Sequence, residues 1–301
     1  MPASPENREL CAKKTDLETA NMKNGRKVVS LISVFVAGLS FATAGASEPA
    51  DENVVRLAVV NTPQFSGLLD DLLPDFERQT GITVDVYSGS DVYRKARSGQ
   101  ADLVISHYGK KGVERFVMDG FGAWPRIVFA NQAVLIGHHS DPAKVRGLTT
   151  VAEALERIAD SKAPFVHNDI PGIDYLIEIA LESAGQPDRS GWFIDDGHVK
   201  AAAILLAEEK KGYVIWGAFP FLRFDSERAS SELEILVAED PSLQRIMAAI
   251  AVKPDKVQGV NADGARALVD YLLSPRVQAK SAAFRSPGSD LQLWWPAGRN
   301  N

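Results

Sequence analysis

Residues 56–90 read RLAVVNTPQFSGLLDDLLPDFERQTGITVDVYSGS, and this stretch decides the fold class. Residues 57–60 form a short apolar run, which is typical of a buried parallel strand. Leucines and a phenylalanine recur at helical spacing over residues 68–76, and Gly81 ends the predicted helix. Alternating apolar residues over 82–86 predict a second strand. The stretch therefore predicts a strand–helix–strand unit of an α/β protein.

Polar loops follow both predicted strands. They contain Asn61, Thr62 and Ser66 in the first loop and Ser88, Gly89 and Ser90 in the second. The carboxyl ends of parallel strands meet at one edge of a sheet, so we expect both loops at the same edge. Each loop precedes a predicted helix, whose first backbone N–H groups have no partner within the helix. Such a corner suits a small anion. A second interpretation stays open, since hydroxyl residues before a helix often serve only as caps.

The remaining chain continues to alternate between strand and helix, and the pattern starts again near residue 149. Residues 126–137 read as one long strand or a strand pair. We therefore predict an α/β fold with two lobes, each a mostly parallel sheet flanked by helices. Residues 47–135 and 245–301 are assigned to the first lobe and 136–244 to the second. The chain then crosses twice between the lobes, and the two connections form a hinge.

The amino-terminal region predicts an export signal. Residues 22–46 read MKNGRKVVSLISVFVAGLSFATAGA, in which a basic start precedes an apolar stretch and small residues. This order is typical of a cleaved secretory signal peptide, and a retained anchor is the alternative. Met22 is then the better start, and we interpret residues 1–21 as a non-native leader. We expect the protein in the periplasm.

Composition excludes several kinds of function. The single cysteine, Cys11, lies in the leader, so the exported protein would have no disulfide, cysteine nucleophile or thiolate metal site. The chain has 33 Lys and Arg against 39 Asp and Glu, a net charge of −6, which argues against sequence-independent nucleic-acid binding. No pattern indicates a nucleophile elbow, a phosphate loop or a dinucleotide fingerprint. We expect no enzyme activity and no cofactor, and we expect a monomer.

Several segments together resemble a known family. They read SGLLDDLLPDFERQTGITVDV, ADLVI, MDGFG, APFV, LEILVAEDP, IAVKPDK, LVDYLLSPRVQ and LQLWWPAG. These segments resemble the periplasmic tungstate-binding components of ABC importers, and the likeness covers nearly the whole exported chain. The resemblance implies a type II periplasmic-binding-protein fold that closes around a small oxyanion. It also implies docking on a membrane permease.

The loops that hold the ligand in that family depart from its pattern here. The first loop keeps hydroxyls at Thr62 and Ser66. The third loop of the family contains an arginine, whereas this chain reads HNDIPGI over residues 167–173. Asn168 offers only a neutral amide where a guanidinium would supply charge and a forked pair of donors. We include Asn168 and Gly172 among the ligand-binding residues, although each suits a turn or helix entry as well.

Two other ligand chemistries stay open at this stage. His107 and His167 both follow predicted strands, and with Asp169 they could form a divalent-cation site across the cleft. Trp216 could stack on a flat ligand or fill the core. A sensory or accessory protein that uses the same fold is a further alternative to a transport component.

Overall fold

The computed structural model describes residues 52–109, 111–285 and 290–298. The predicted leader, signal peptide and Cys11 lie outside the described residues. Within those ranges, no helix has both the length and the apolar character needed to cross a membrane.

Strands and helices alternate along most of the chain. The strands are β1 (Val54–Val59), β2 (Thr83–Ser88), β3 (Leu103–His107), β4 (Arg126–His138), β5 (Phe165–Val166), β6 (Phe193–Ile194), β7 (Tyr213–Gly217), β8 (Leu233–Val237), β9 (Gln244–Ala251) and β10 (Trp294–Pro296). The helices are α1 (Asn61–Phe65), α2 (Leu68–Thr80), α3 (Val92–Arg97), α4 (Lys111–Met118), α5 (Val151–Ser161), α6 (Asp174–Ser183), α7 (Ala201–Glu209), α8 (Ala218–Ser226), α9 (Ala262–Leu273) and α10 (Pro275–Ala283). A 3₁₀ turn, Pro241–Leu243, precedes β9.

The strands pair in the order β2-β1-β3-β9-β4-β7-β5-β6, and β8 and β10 also pair with β4. In each half the outer strands are parallel: β1 with β2 and β3, and β5 with β6 and β7. The pairings of β4 and β9 are antiparallel, so the sheet is mixed around its centre. Helices flank this sheet, and the predicted α/β class is confirmed.

Strand β4 runs through both halves of the sheet. Its first part pairs with β9 as far as Gln132, which lies opposite Gln244, and from Ala133 onward it pairs with β7. The amide of Gln132 also donates to the carbonyls of Ala238 and Asp240 in the second connection between the halves. The two connections are thus tied together where the pairing changes. The lobe boundaries at residues 135 and 244 stay a prediction.

Helix α2 shows why the apolar spacing in the sequence was informative. Leu68, Leu69, Leu72 and Phe76 are all fully buried against the sheet. Burial of each such side chain stabilises the fold by about 1.5–3 kcal/mol. Gly81 ends the helix with φ +74°, a left-handed conformation that glycine adopts at little cost. Both features confirm the sequence prediction.

The segment before α2 differs from the prediction. The sequence indicated a polar loop containing Asn61, Thr62 and Ser66, but the structure has the short helix α1 directly after β1. The residue that precedes α2 is Gly67, with φ +84°. A proline at the third position of α1 is tolerated because the first N–H groups of a helix lack an intrahelical partner.

Candidate functional site

Three strands of the first half end at one edge of the sheet. Val59 of β1 lies opposite Ser88 of β2 and Ile105 of β3. Strand β9 runs antiparallel to β3, so its early residue Met247 lies opposite His107 at the end of β3. This edge therefore collects the loops after β1, β2 and β3 together with the beginning of β9.

The loops after β1 and β2 touch each other. The hydroxyl of Ser88 donates to Oδ1 of Asn61 at 3.1 Å, and the backbone N–H of Gly89 donates to the carbonyl of Val59 at 3.0 Å. Asn61 is exposed, and Ser88 is half-buried. The two loops that the sequence assigned to one ligand corner are therefore neighbours.

Two predicted ligand residues on these loops keep their hydroxyls unengaged. Thr62 is half-buried and Ser90 is exposed, and neither side chain has a hydrogen-bond partner in the described part of the chain. Polar side chains with no internal partner are available to water or to a ligand. Thr62 and Ser90 therefore remain candidates for direct contact.

The second loop is held in shape by Tyr87 and Asp91. The hydroxyl of Tyr87 donates to the carboxylate of Asp91, which also accepts from Arg94. The hydrogen bond from Tyr87, followed by the charge of Arg94, holds the pKa of Asp91 below its usual range. A Cβ at Gly89 would clash with the Tyr87 hydroxyl, so only glycine fits there without a shift. A larger residue at this position would therefore have to displace the Tyr87 side chain.

Ser66 has a different environment from the other predicted site residues. Its side chain is only 1% exposed, and its hydroxyl donates to the carbonyl of Pro63 at 3.3 Å. The same oxygen accepts from the backbone N–H of Leu68 at 3.4 Å and from the indole of Trp294 at 3.1 Å. The geometry favours the capping interpretation over ligand contact for Ser66.

Asn168 is also engaged inside the protein. The residue is fully buried, and its Nδ2 donates to the carbonyl of Ile215 in β7 at 3.3 Å. Its Oδ1 accepts from the N–H of Lys200 at 2.8 Å, and Lys200 is the residue before α7, with φ +54°. Asn168 therefore joins the third loop to β7 and to the start of α7. This geometry favours a structural role over ligand contact.

Gly172 lies against Arg245, which no pattern in the sequence indicated as a site residue. A Cβ added at Gly172 would lie 2.9 Å from Nη2 of Arg245, and Gly172 has φ +95°. The backbone conformation favours glycine, and a side chain at this position would have to displace the guanidinium. Arg245 is the second residue of β9, opposite Asn131 of β4. The side chain of Arg245 therefore extends from β9 to the loop before α6.

Arg245 is half-buried, and no described carboxylate forms an ion pair with it. Burial away from water lowers its pKa to about 10, which leaves the guanidinium charged at neutral pH. Arg56, by comparison, has its charge compensated by Asp102 at 2.5 Å. The signal in the sequence was a lone cation at the beginning of the apolar run 246–252. Only the tertiary structure shows that β9 returns to the loop edge and brings this arginine near Gly172.

The metal site considered from the sequence does not form. His107 hydrogen-bonds to Asn131 through Nε2 at 3.2 Å. His167 lies between Asp195, 2.7 Å from Nδ1, and Asp174, 3.1 Å from Nε2. Across the described ranges, no group of three or more His, Cys, Asp or Glu side chains is arranged to hold a metal ion. The grouping of His107, His167 and Asp169 was therefore wrong.

Two partly exposed aromatic side chains lie near the ends of β1 and β7, Phe65 in the first half and Trp216 in the second. Trp216, at the end of β7, is half-buried and packs edge-on against Phe224 with ring centroids 6.3 Å apart. Phe65 of α1 is 51% exposed, and the guanidinium of Arg223 of α8 lies 5.3 Å from its ring centroid. The contact between Phe65 and Arg223 connects the first loop with the second half of the molecule.

Comparison with known proteins is consistent with this geometry. The chain is 29% identical over 230 residues to a tungstate-binding protein of Peptoclostridium acidaminophilum, covering 75% of this chain and 79% of that protein. It is 29% identical over 262 residues to a putative ABC transporter anion-binding protein of Haloferax volcanii, covering 84% and 75%. The structure of a tungstate-binding protein from Desulfovibrio alaskensis matches 81% of this chain and 99% of its own, with a TM-score of 0.69 and 28% identity.

The family assignment rests on a match over most of the chain. Residues 43–276 match the domain described as the PBP superfamily domain. This range includes α1 to α9, the first two residues of α10, and every strand except β10. The predicted periplasmic-binding-protein fold is confirmed, and the chain belongs to the PBP superfamily.

Proposed function

We propose that this protein is the solute-binding component of an ABC importer and that it binds a small tungstate-like oxyanion between its two halves. Membership of the PBP superfamily supports the class of protein. The names of two similar proteins, a tungstate-binding protein and a putative ABC transporter anion-binding protein, support the ligand class. Its partners would be the solute and a membrane permease.

The observation that carries the proposal is the meeting of the loops after β1 and β2. The Ser88 hydroxyl and Asn61 are 3.1 Å apart, and the hydroxyls of Thr62 and Ser90 are unengaged within the described residues. Hydroxyl and backbone N–H donors can replace the water around an oxyanion without supplying a full countercharge. Asn61, Thr62, Ser88, Gly89 and Ser90 are the proposed contacts on this side.

The opposite side of the ligand would be provided by the loop before α6. Gly172 is the proposed contact there, through its backbone, because a residue with no side chain leaves the peptide accessible to a ligand. Ser66 and Asn168 are proposed to position these loops, since their polar atoms already bond within the protein.

Binding would proceed by closure about the two connections between the halves. These connections are β4 at Gln132 and the segment from Ala238 to Gln244, which the Gln132 amide joins. Motion at a few residues between two rigid halves is the usual hinge mechanism. We also propose that the protein acts as a monomer in the periplasm after removal of residues 22–46, which lie outside the described ranges.

A thermal-shift screen tests the proposal. The protein, expressed from the full gene and purified from the periplasmic fraction, is heated with tungstate, molybdate, sulfate, phosphate, zinc, manganese or small organic acids. A ligand at 100 times its Kd stabilises the folded state by about 2.7 kcal/mol. We expect tungstate and molybdate to raise the Tm. The proposal is wrong if neither raises it at millimolar concentration while a divalent cation does.

A further inference from the structure

Arg245 differs from the other partly buried arginines of the described chain because it lacks an anionic partner. Arg56 lies 2.5 Å from the carboxylate of Asp102, and Arg228 lies 2.5 Å from that of Glu208. No described carboxylate plays this role for Arg245, and burial alone accounts for its lowered pKa of about 10. A desolvated cation without a counterion destabilises the ligand-free protein, so its position needs an explanation.

The position of Arg245 places it at the loop edge. β9 begins at Gln244, and the carbonyl of its third residue, Ile246, accepts from the N–H of Tyr108 at 2.8 Å, directly after β3. Ser88 and Ile105 lie opposite Val59 at the same edge. The backbone of Arg245 is therefore level with the end of β3, beside the loops proposed to bind the oxyanion.

The direction of the side chain is also informative. Successive residues of a strand project to opposite faces, so Arg245 and its partner Asn131 project to one face and Gln244 and Gln132 to the other. Gln244 and Gln132 line a cavity of about 450 Å³ beside the carboxyl-terminal segment. Arg245 instead extends to Gly172, at the entry to α6. Its guanidinium thus lies between the β9 edge and the loop of the opposite half.

We propose that Arg245 is the cation that binds the oxyanion, and that it supplies from β9 the charge that the loop residue Asn168 cannot supply. This inference rests on the proposed function and names the residue that neutralises the ligand. The forked N–H groups of a guanidinium match two oxygens of a tetrahedral oxyanion. The ligand in turn provides the missing counterion, which couples closure of the halves to binding.

The inference predicts opposite effects on affinity and on the stability of the ligand-free protein. In R245Q the ligand loses a charged, forked partner, and the ligand-free protein loses an uncompensated cation. We expect tungstate and molybdate to bind at least 30-fold more weakly to R245Q in isothermal titration calorimetry. We expect the ligand-free Tm of R245Q to equal or exceed that of the wild type. R245K keeps the charge without the fork, and we expect roughly tenfold weaker binding.

Arg157 provides the matched control, because it is exposed on α5 and pairs with Glu153. R157Q removes the same charge, and we expect binding within twofold of the wild type. If R245Q binds tungstate within threefold of the wild type, the inference is overturned while the proposed function stands. If the wild type binds neither tungstate nor molybdate, the proposed function fails and the inference fails with it. If R245Q does not fold, as judged by circular dichroism, unchanged affinity in R245K overturns the inference.

Discussion

The loops of the first half and the loop after β5 are all polar in sequence but differ in how their polar groups are used. The side-chain hydroxyls of Thr62 and Ser90 have no hydrogen-bond partner among the described residues, so they are open to a ligand. Asn168, by contrast, is fully buried and bonds to both Ile215 and Lys200. Residue type therefore identifies a candidate, and only the presence or absence of an internal partner shows whether its polar atoms are available.

The largest effect is expected when Asn168 is replaced by Arg. In the family that this chain resembles an arginine stands in this loop, so the change adds the guanidinium that Asn168 lacks. The structure instead predicts loss of two hydrogen bonds and burial of an unpaired charge, which destabilises the protein by about 3–5 kcal/mol. Urea unfolding followed by circular dichroism measures this change. Asp169→Asn is the control, since the neighbouring Asp169 is exposed. A stable Asn168→Arg protein with tighter tungstate binding would contradict the structural role assigned to Asn168.

Ser66→Ala should produce the next largest effect, on stability alone. The change leaves the indole N–H of Trp294 buried without its acceptor, and an unsatisfied buried donor costs about 1–3 kcal/mol. Tungstate affinity, measured by calorimetry at a temperature where the protein is folded, should stay within threefold of the wild type. A large loss of affinity with unchanged stability would instead assign Ser66 to the ligand.

Thr62→Val should show the reverse of the Ser66 result. The side chain keeps its shape and loses a hydroxyl that has no described internal partner, so stability should change by less than about 0.5 kcal/mol. The lost hydrogen bond to the oxyanion should weaken tungstate binding roughly tenfold, or about 1.4 kcal/mol. Calorimetry with wild type and variant decides this, and equal affinities would remove Thr62 from the site.

The smallest effect concerns the pH dependence of the second loop. The pKa of Asp91 is held below its usual range, chiefly by the Tyr87 hydroxyl. A carboxyl whose pKa is lower in the folded state contributes stability above its unfolded pKa, and this contribution is lost as pH falls through the folded value. We expect the Tm of Asp91→Asn to fall slightly less than that of the wild type between pH 6 and pH 3. An identical fall in both proteins would mean that this carboxylate does not stabilise the loop.

The Arg245 variants extend the same comparison to charged residues. Arg56 and Arg245 are both partly buried, yet Arg56 has a carboxylate partner and Arg245 has none among the described residues. Replacement of Arg56 should therefore destabilise the ligand-free protein, because it leaves the buried carboxylate of Asp102 unpaired. Replacement of Arg245 should not.

Local patterns in the sequence predicted a large part of the fold. The α2 spacing and the Gly81 helix end are both found in the structure. These features depend on residues within a few positions of each other, and local spacing determines which face of a helix is apolar. Short elements such as α1, β6 and β10 were missed because a few residues give no measurable period.

The sequence by itself determined the α/β class, the order of the main elements and the resemblance to oxyanion-binding proteins, because periodicity and motif wording are local properties. Only the tertiary structure decided which polar groups are already engaged. Ser66 bonds to Trp294, 228 positions away, and Arg245 meets Gly172 through the return of β9 to the loop edge. Hydrogen-bond satisfaction and charge pairing depend on neighbours that are distant in sequence, and no local pattern specifies them.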